Sequence, residues 1–478
     1  MRQTQSSYLI LPPEFFSRFE FVTFPHPKTF VFNQDLNNEL GMVFENSEEL
    51  ISIFSNSQSS PYIGFSQAYA GHQFGQFTML GDGRAALLGE ILNAGKRFDI
   101  QCKGSGATPY SRGGDGKATL PAMVREYLIS ETMHALGIPS SRSLAVIQTG
   151  EEIFRQKREQ GAILMRTMSS HIRIGTFEYA RYFLQEKSLH ALLIYTIERH
   201  FPELRSSENL ALSFIDKVAE LQFDLLCHWM RVGFIHGVMN TDNTAICGET
   251  FDYGPCAFLN QYEPDTVFSS IDRMGRYAFG NQPNIIQWNL IRLTEALLPL
   301  IDQNETHAIA MAKSLISTFS ERWEKKYMDT MVQKIGFENA NENSISLVNE
   351  LLILMQKHEA DYTNTFAGLC YEIPIEYTPW TLTPFMDWKT KWENELTNQN
   401  IQNQIAVTRM QKVNPCIIPR NHIIEELLLN LNSASSNQAI NEALLILKRP
   451  YCFNKNALSW IMPPTVEENQ KHKTFCGT

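Results

Sequence analysis

Between His236 and Asp252 the chain gathers oxygen-bearing side chains at a spacing that could hold a metal and the phosphates it bridges. His236-Gly-Val-Met-Asn-Thr-Asp-Asn243 ends in a carboxylate beside an amide, and Asp252-Tyr-Gly254 begins nine residues later. Carboxylate and amide oxygens are hard donors that suit Mg²⁺ or Mn²⁺. A further carboxylate at such a place can take the proton of an attacking hydroxyl. Asn243 and Asp252 are therefore the expected metal ligands, and Asp242 the expected base.

The residue order follows the protein-kinase pattern H-R-D-x-x-x-x-N and D-F-G, in which the Asn and the second Asp hold Mg²⁺. Asn243 lies seven places after His236, and Asp252-Tyr-Gly stands for D-F-G. The departure is Val238, where the kinase pattern has its proton-accepting Asp. Valine accepts no proton, while Asp242 offers a carboxylate from another position. Upstream, Val218, Leu221, Leu225, Trp229 and Val232 recur at helical spacing, so the loop follows a buried helix. Downstream, the segments on either side of Gly248 predict a short hairpin.

Phosphate-handling residues fit the part of the chain before this loop. Gly81-Asp-Gly83-Arg84 sits between two strand-like segments, and Asp-Gly predicts a hairpin turn there. Its backbone N–H groups and Arg84 could meet phosphate oxygens. Arg97–Lys103 alternates, with Phe98, Ile100 and Cys102 on one face and Asp99, Gln101 and Lys103 on the other. Lys103 takes the place of the strand lysine that neutralises ATP phosphates in kinases, and needs a carboxylate partner. A helix opening near Pro121 and stopping at Gly137 supplies Glu126, with Glu131 as the rival. Between them, Ser111-Arg-Gly-Gly-Asp-Gly-Lys117 is a charged glycine loop in which Asp115 and Gly116 suit a phosphate or metal contact. Arg166, at the end of a strand, and Arg173, in the next loop, could clamp a terminal phosphate.

The 478 residues suffice for a large core. With 43% hydrophobic and 19% charged residues and a net charge of -10, the composition is that of a globular protein and not of a dedicated nucleic-acid binder. No run of eighteen apolar residues predicts a membrane span, and the first residues lack the apolar core of a secretory signal. Eight cysteines without a C-x-x-C pair suit a reducing cytoplasm. The expected fold class is α+β and bilobal: an extension over 1–60, a β-rich lobe with the nucleotide elements over 61–180, and a larger helical lobe with the metal loop and tail over 181–478. Helical runs are expected at 208–233, 286–301, 306–326 and 345–358, and surface loops at 394–404 and 430–437.

Several longer motifs resemble one family. Tyr69-Ala-Gly-His-Gln-Phe-Gly, Leu80-Gly-Asp-Gly-Arg, Lys103-Gly-Ser-Gly-Ala-Thr-Pro-Tyr-Ser-Arg-Gly-Gly-Asp-Gly and Ser170-His-Ile-Arg-Ile-Gly-Thr-Phe-Glu-Tyr are similar to the selenoprotein O (SelO, bacterial YdiU) family. So are the two metal-loop motifs, Gln282-Pro-Asn-Ile-Ile-Gln-Trp-Asn-Leu and Val413-Asn-Pro. The resemblance implies a protein-kinase-like fold that moves AMP from ATP to Ser, Thr or Tyr hydroxyls of protein substrates, with Mg²⁺ or Mn²⁺. It implies that ATP lies flipped, so that the α-phosphate faces the acceptor. Gly81, Gly83, Arg84, Lys103, Asp115 and Gly116 would contact the nucleotide, Arg166 and Arg173 the terminal phosphate, Asn243 and Asp252 the metal, and Asp242 would be the base. It also implies a near-terminal Cys or selenocysteine, matched by Cys476, with Cys256 the first candidate for a redox partner. Two other classes stay open: a small-molecule or protein kinase with an atypical site, which would again lack its Asp at Val238, and a silent ATP-binding pseudokinase scaffold.

Overall fold

The computed structural model describes residues 6–55, 63–155, 157–431, 433 and 435–474. Alternation of apolar and polar side chains builds its first lobe. The strands, in chain order, are β1 (Phe16–Glu20), β2 (Lys28–Phe32), β3 (Ile63–Gln67), β4 (Ala70–Gln73), β5 (Gln76–Met79), β6 (Ala85–Asn93), β7 (Lys96–Lys103), β8 (Ala118–Thr119), β9 (Arg142–Phe154) and β10 (Arg158–Met168). They form an antiparallel sheet in the order β1-β3-β6-β7-β10-β9-β2, with β8 on β10 and with β4–β5 as a separate hairpin. The first sixty residues thus supply both outer strands of the sheet. In β7, Ile100 and Cys102 enter an apolar cluster with Ile163 and Met165, while Asp99, Gln101 and Lys103 turn to the other face.

Short helices α1 (Gln34–Glu39) and α2 (Ser47–Ser52) close one side of the lobe, and α3 (Leu120–Ala135) lies across the sheet. Helix α3 has Pro121 in its first turn, and its C-terminal end is followed by Gly137 at φ 73°. It is buried nearly all round, between β9 and β10 and the helices Asn421–Leu429 and Ser436–Leu447. The end of the chain therefore returns to brace the first lobe. Arg125 on α3 ties it further, to Glu425 at 3.0 Å and to the carbonyl of Cys256 at 2.7 Å.

The second lobe is helical: α4 (Ile174–Phe183), α5 (Glu186–His200), α6 (Leu210–Val232), α7 (Gln282–Ile301), α8 (Glu305–Ile316), α9 (Phe319–Lys334) and α10 (Glu342–Lys357) precede the C-terminal helices. Gly233, left-handed at φ 75°, stops α6 just before the His236–Asn243 loop. The expected run 306–326 is two helices, because Ser317 and Thr318 turn their hydroxyls back on the carbonyls of Ser314 and Leu315. The expected loop at 394–404 shrinks to 399–402, since the helix Thr383–Asn398 extends into it; Glu395 bonds Asn398 and Gln399 there.

Neither expected hairpin forms. β5 turns back on β4 and β6 pairs with β3 and β7, because Asp82 is bound to Gln67 through both backbone and carboxylate. Around Gly248, Ala245 bridges to Arg173 and Thr250 to Ser140, so the backbone is satisfied by neighbours outside the segment.

A buried ion network joins the lobes. Arg199 of α5 reaches Glu90 of β6 at 2.6 Å and Asp99 of β7 at 2.8 Å, and His171 donates its backbone N–H to Asp99. Burial alone would raise the Asp99 carboxyl, but Arg199 and His171 overcome it and hold the group at about 2. Arg199→Met should cost about 3–5 kcal/mol, the usual result of removing one partner from a buried pair. A folded carboxyl below its unfolded value stabilises above the unfolded pKa and loses that contribution as pH falls through the folded one. The gap between variant and wild type in urea unfolding should be full at pH 7 and narrow below about pH 4. A midpoint unchanged at pH 7 would show that the network does not hold the lobes.

Candidate active site

Between the lobes lies a cleft of about 490 Å³. Lys103 of β7 and Arg166 of β10 project from adjacent strands on its floor. Lys103 Nζ meets Glu126 Oε2 at 2.7 Å and Asp252 Oδ1 at 2.5 Å. Arg166 bridges the same carboxylates, at 2.5 Å to Glu126 and 2.7 Å to Asp252, and is braced by Gln101 at 2.6 Å and 2.9 Å. Glu126 is thus the partner of Lys103. Glu131 faces elsewhere, bonded to Arg142, Asn33 and the backbone of Ser143. The four charges balance, and the strand–helix pair of the first lobe is locked to the loop of the second.

Asp252 sits at φ 62°, a left-handed conformation that side chains other than glycine rarely take. Burial raises its pKa, but Arg166 and Lys103 outweigh this and hold it well below the usual carboxylate range. Both cations bond Oδ1. His236 fixes the turn from below: its Nε2 donates to the carbonyl of Phe251 at 3.0 Å, and burial keeps the ring neutral. Asn243 donates its amide to Val238 O at 3.1 Å and lines the cleft.

Asp242 is buried beside Arg173, and its Oδ1 has no hydrogen-bond partner. Burial, only partly offset by Arg173, pushes its carboxyl up to about 6. Its surroundings are tight. A Cβ on Gly71 would stand 2.6 Å from Asp242 Oδ1, and one on Gly175 would stand 2.0 Å from the carbonyl of Ala70. Only glycines let β4, α4 and the Asp242 loop meet. Arg173 approaches Asp82 at 3.4 Å and the carbonyl of Asp242 at 3.3 Å, with its guanidinium 4.1 Å from the Tyr69 ring centre.

Gly81, Gly83, Arg84, Asp115 and Gly116 line the same cleft, so every nucleotide contact expected from the sequence borders one space. Asp115 carries a second bond set, to Arg155 at 2.8 Å and 3.0 Å and to the Lys117 backbone at 3.0 Å. A buried Lys–Glu pair, a left-handed Asp-x-Gly turn and an Asn loop converge on one interlobe cleft in the arrangement of a protein-kinase-like site.

The family model described as protein adenylyltransferase SelO matches residues 2–448. The chain belongs to the SelO family. Among its relatives is a protein nucleotidyltransferase YdiU of Brevibacillus brevis, 47% identical over 99% of this chain and 97% of the relative. Proteins of that name from Clostridium perfringens and Pelagibacter ubique are 48% and 46% identical over 99% of this chain, covering 97% and 98% of their own lengths. A solved structure of ROP2 from Toxoplasma gondii, described as a virulence factor with a protein-kinase fold and no enzymatic activity, aligns with 76% of this chain and 96% of its own at 9% identity and a TM-score of 0.23. As a SelO member the chain is an enzyme, a protein nucleotidyltransferase.

The donor set of this SelO member suits a hard divalent ion. Among the described residues no cluster of three or more His, Cys, Asp or Glu could hold a metal unaided. Asn243 and Asp252 instead offer two oxygen donors, and Mg²⁺ typically takes one or two carboxylates with substrate phosphates. Nothing in the residue pattern marks Asp82 as the buried anchor of Arg173 and of the Gln67 backbone; its place between two glycines reads as a turn. Nor did it show that Asn240, rather than Asn243, accepts from Phe74 and Tyr277.

Cys256 is buried, its thiol donating to Tyr253 O at 3.3 Å and pushed up to about 12 by burial. Thr474 reaches back to Pro255 O at 2.6 Å, so the described tail ends against this turn. Cys476 lies outside the described residues.

Proposed function

We propose that this nucleotidyltransferase moves AMP from ATP to Ser, Thr or Tyr hydroxyls of protein substrates and releases pyrophosphate. The observation that carries the reading is the exchange of carboxylates: Val238 stands at the kinase base position, while Asp242 lies buried in the cleft with an oxygen that no group engages. Lys103 and Arg166, whose charges Glu126 and Asp252 balance, would turn toward phosphate oxygens. Arg173, held by Asp82 and Tyr69, would orient the pyrophosphate end, and Gly81, Gly83, Arg84, Asp115 and Gly116 would line the nucleotide. Asn243 and Asp252 would hold Mg²⁺ or Mn²⁺. When bound, such an ion offsets phosphate charge. Asp242 accepts the proton of the attacking hydroxyl as the α-phosphorus–oxygen bond forms, and the bond to the pyrophosphate oxygen breaks.

Among the described residues no helix is long and apolar enough to cross a membrane. Use of ATP and the free thiols of seven described cysteines support a cytoplasmic setting. Incubation with ATP labelled at either the α- or the γ-phosphate tests the reading. Label from the α-position should reach protein, with pyrophosphate released; labelling from the γ-position alone would restore a kinase.

A further inference from the structure

The β4–β5 hairpin carries an apolar face onto the surface. Phe77 is 39% exposed, Met79 44%, Tyr182 51% and Phe183 47%. Phe77 meets Tyr182 edge-on at 5.2 Å and stacks on Phe183 at 6.0 Å, so the hairpin and the end of α4 form one patch. At the hairpin tip, Phe74 and Gly75 have φ of 51° and 86°, the tight two-residue turn that matches strand twist. Phe74 lines the cleft that holds Asp242 and packs on Tyr277 at 5.2 Å. The patch is therefore continuous with the cleft at the side that carries Asp242.

The hairpin is also fixed. His72 donates its backbone N–H to Thr241 Oγ1 at 2.8 Å, and Phe74 to Asn240 Oδ1 at 3.1 Å, both on the loop that carries Asp242. The His72 ring pairs with Glu178 of α4 at 2.5 Å. Whatever rests on this face is held in register with Asp242. Contiguous exposed aromatics beside a cleft mark an interaction surface. Two arginine side chains stand beside it in a chain of net charge -10. Arg181 lies over Tyr182, and Arg276 lies 4.8 Å from the Trp288 ring centre; among the described residues neither guanidinium pairs with a carboxylate, although Asp272 accepts the backbone N–H of Arg276 at 2.9 Å.

We propose that this face docks the protein substrate, taking an extended segment with an apolar side chain flanked by acidic residues and passing its hydroxyl beyond Phe74 to Asp242. This rests on the protein-adenylylation reading. The apolar side chain would cover Phe77 and Met79, and the acidic flanks would meet Arg181 and Arg276.

The test uses the full chain with two fluorescent unstructured peptides, one bearing Ser, Phe and Glu, the other with Lys in place of each Glu. Anisotropy should show binding of the acidic peptide only. Phe77→Ser and Arg181→Glu should each weaken it by about tenfold, as for loss of an interface anchor, with ATP affinity unchanged. No binding to wild type, binding by both variants as tight as by wild type, or equal binding of the Lys peptide would overturn the proposal. So would sedimentation showing a wild-type dimer that Phe77→Ser dissociates, since the patch would then belong to a second copy. Label transfer from α-labelled ATP is scored separately: intact peptide binding without transfer removes the catalytic reading and leaves the docking result standing.

Discussion

Asp252→Ala should abolish metal-dependent nucleotide binding, and with it transfer. The carboxylate has two tasks. Its Oδ1 bonds Lys103 and Arg166; with nucleotide present it would supply one of the two protein oxygens for the divalent ion. Alanine leaves the two cations with Glu126 alone, so some charge-driven binding of ATP can persist. The response to metal cannot, because a single amide oxygen from Asn243 is a poor substitute for a carboxylate. Titration of a fluorescent ATP analogue, with Mn²⁺ and with chelator, should show a large metal effect for wild type and none for the variant. Circular dichroism should show the same helix content for both. A variant whose affinity still rises with metal would place the ion elsewhere and remove Asp252 from the site.

Much of this site is legible in the sequence for a local reason. Lys103, Glu126, Asp242, Asn243 and Asp252 sit in local patterns: an alternating strand, a helix with a proline start and a glycine stop, and a loop of fixed spacing. Each pattern dictates where its own side chain points. The choice between Glu126 and Glu131 was harder, since both lie on one helix. What decides it is Arg142 at the start of β9 and Asn33 after β2, which take Glu131. That information is tertiary.

The failures have the same cause. Gly81-Asp-Gly83 has hairpin chemistry, yet Asp82 is needed by Gln67 and Arg173, and the turn residues serve a contact between lobes instead of a strand reversal. The segment around Gly248 likewise bonds to Ser140 and Arg173, far away in sequence. Local propensity lost to buried polar groups that had to find partners. The first sixty residues were unreadable for a related reason. β1 and β2 are short strands whose pairing partners, β3 and β9, are distant along the chain.

Asp242→Asn should separate catalysis from binding. The side chain is buried beside Arg173 and against Gly71, one oxygen lacks any partner, and burial pushes its carboxyl up to about 6. Such a group costs the fold something and gives it little, which is the mark of a residue kept for its reaction. Asparagine has the same shape and fits the same space, but it cannot accept a proton. Transfer of α-label to protein should fall by roughly 10²–10⁴, the usual cost of losing a general base. ATP affinity in the presence of metal should stay within about twofold, because the binding parts are intact. Thermal unfolding should come no earlier than in wild type, since the substitution removes a buried charge and not a contact. A purely structural Asp242 would give the opposite pattern, with lower stability and little change in rate per folded molecule. Full turnover in the variant would mean that another group takes the proton, and the assignment of the base would have to move to a different side chain of the cleft.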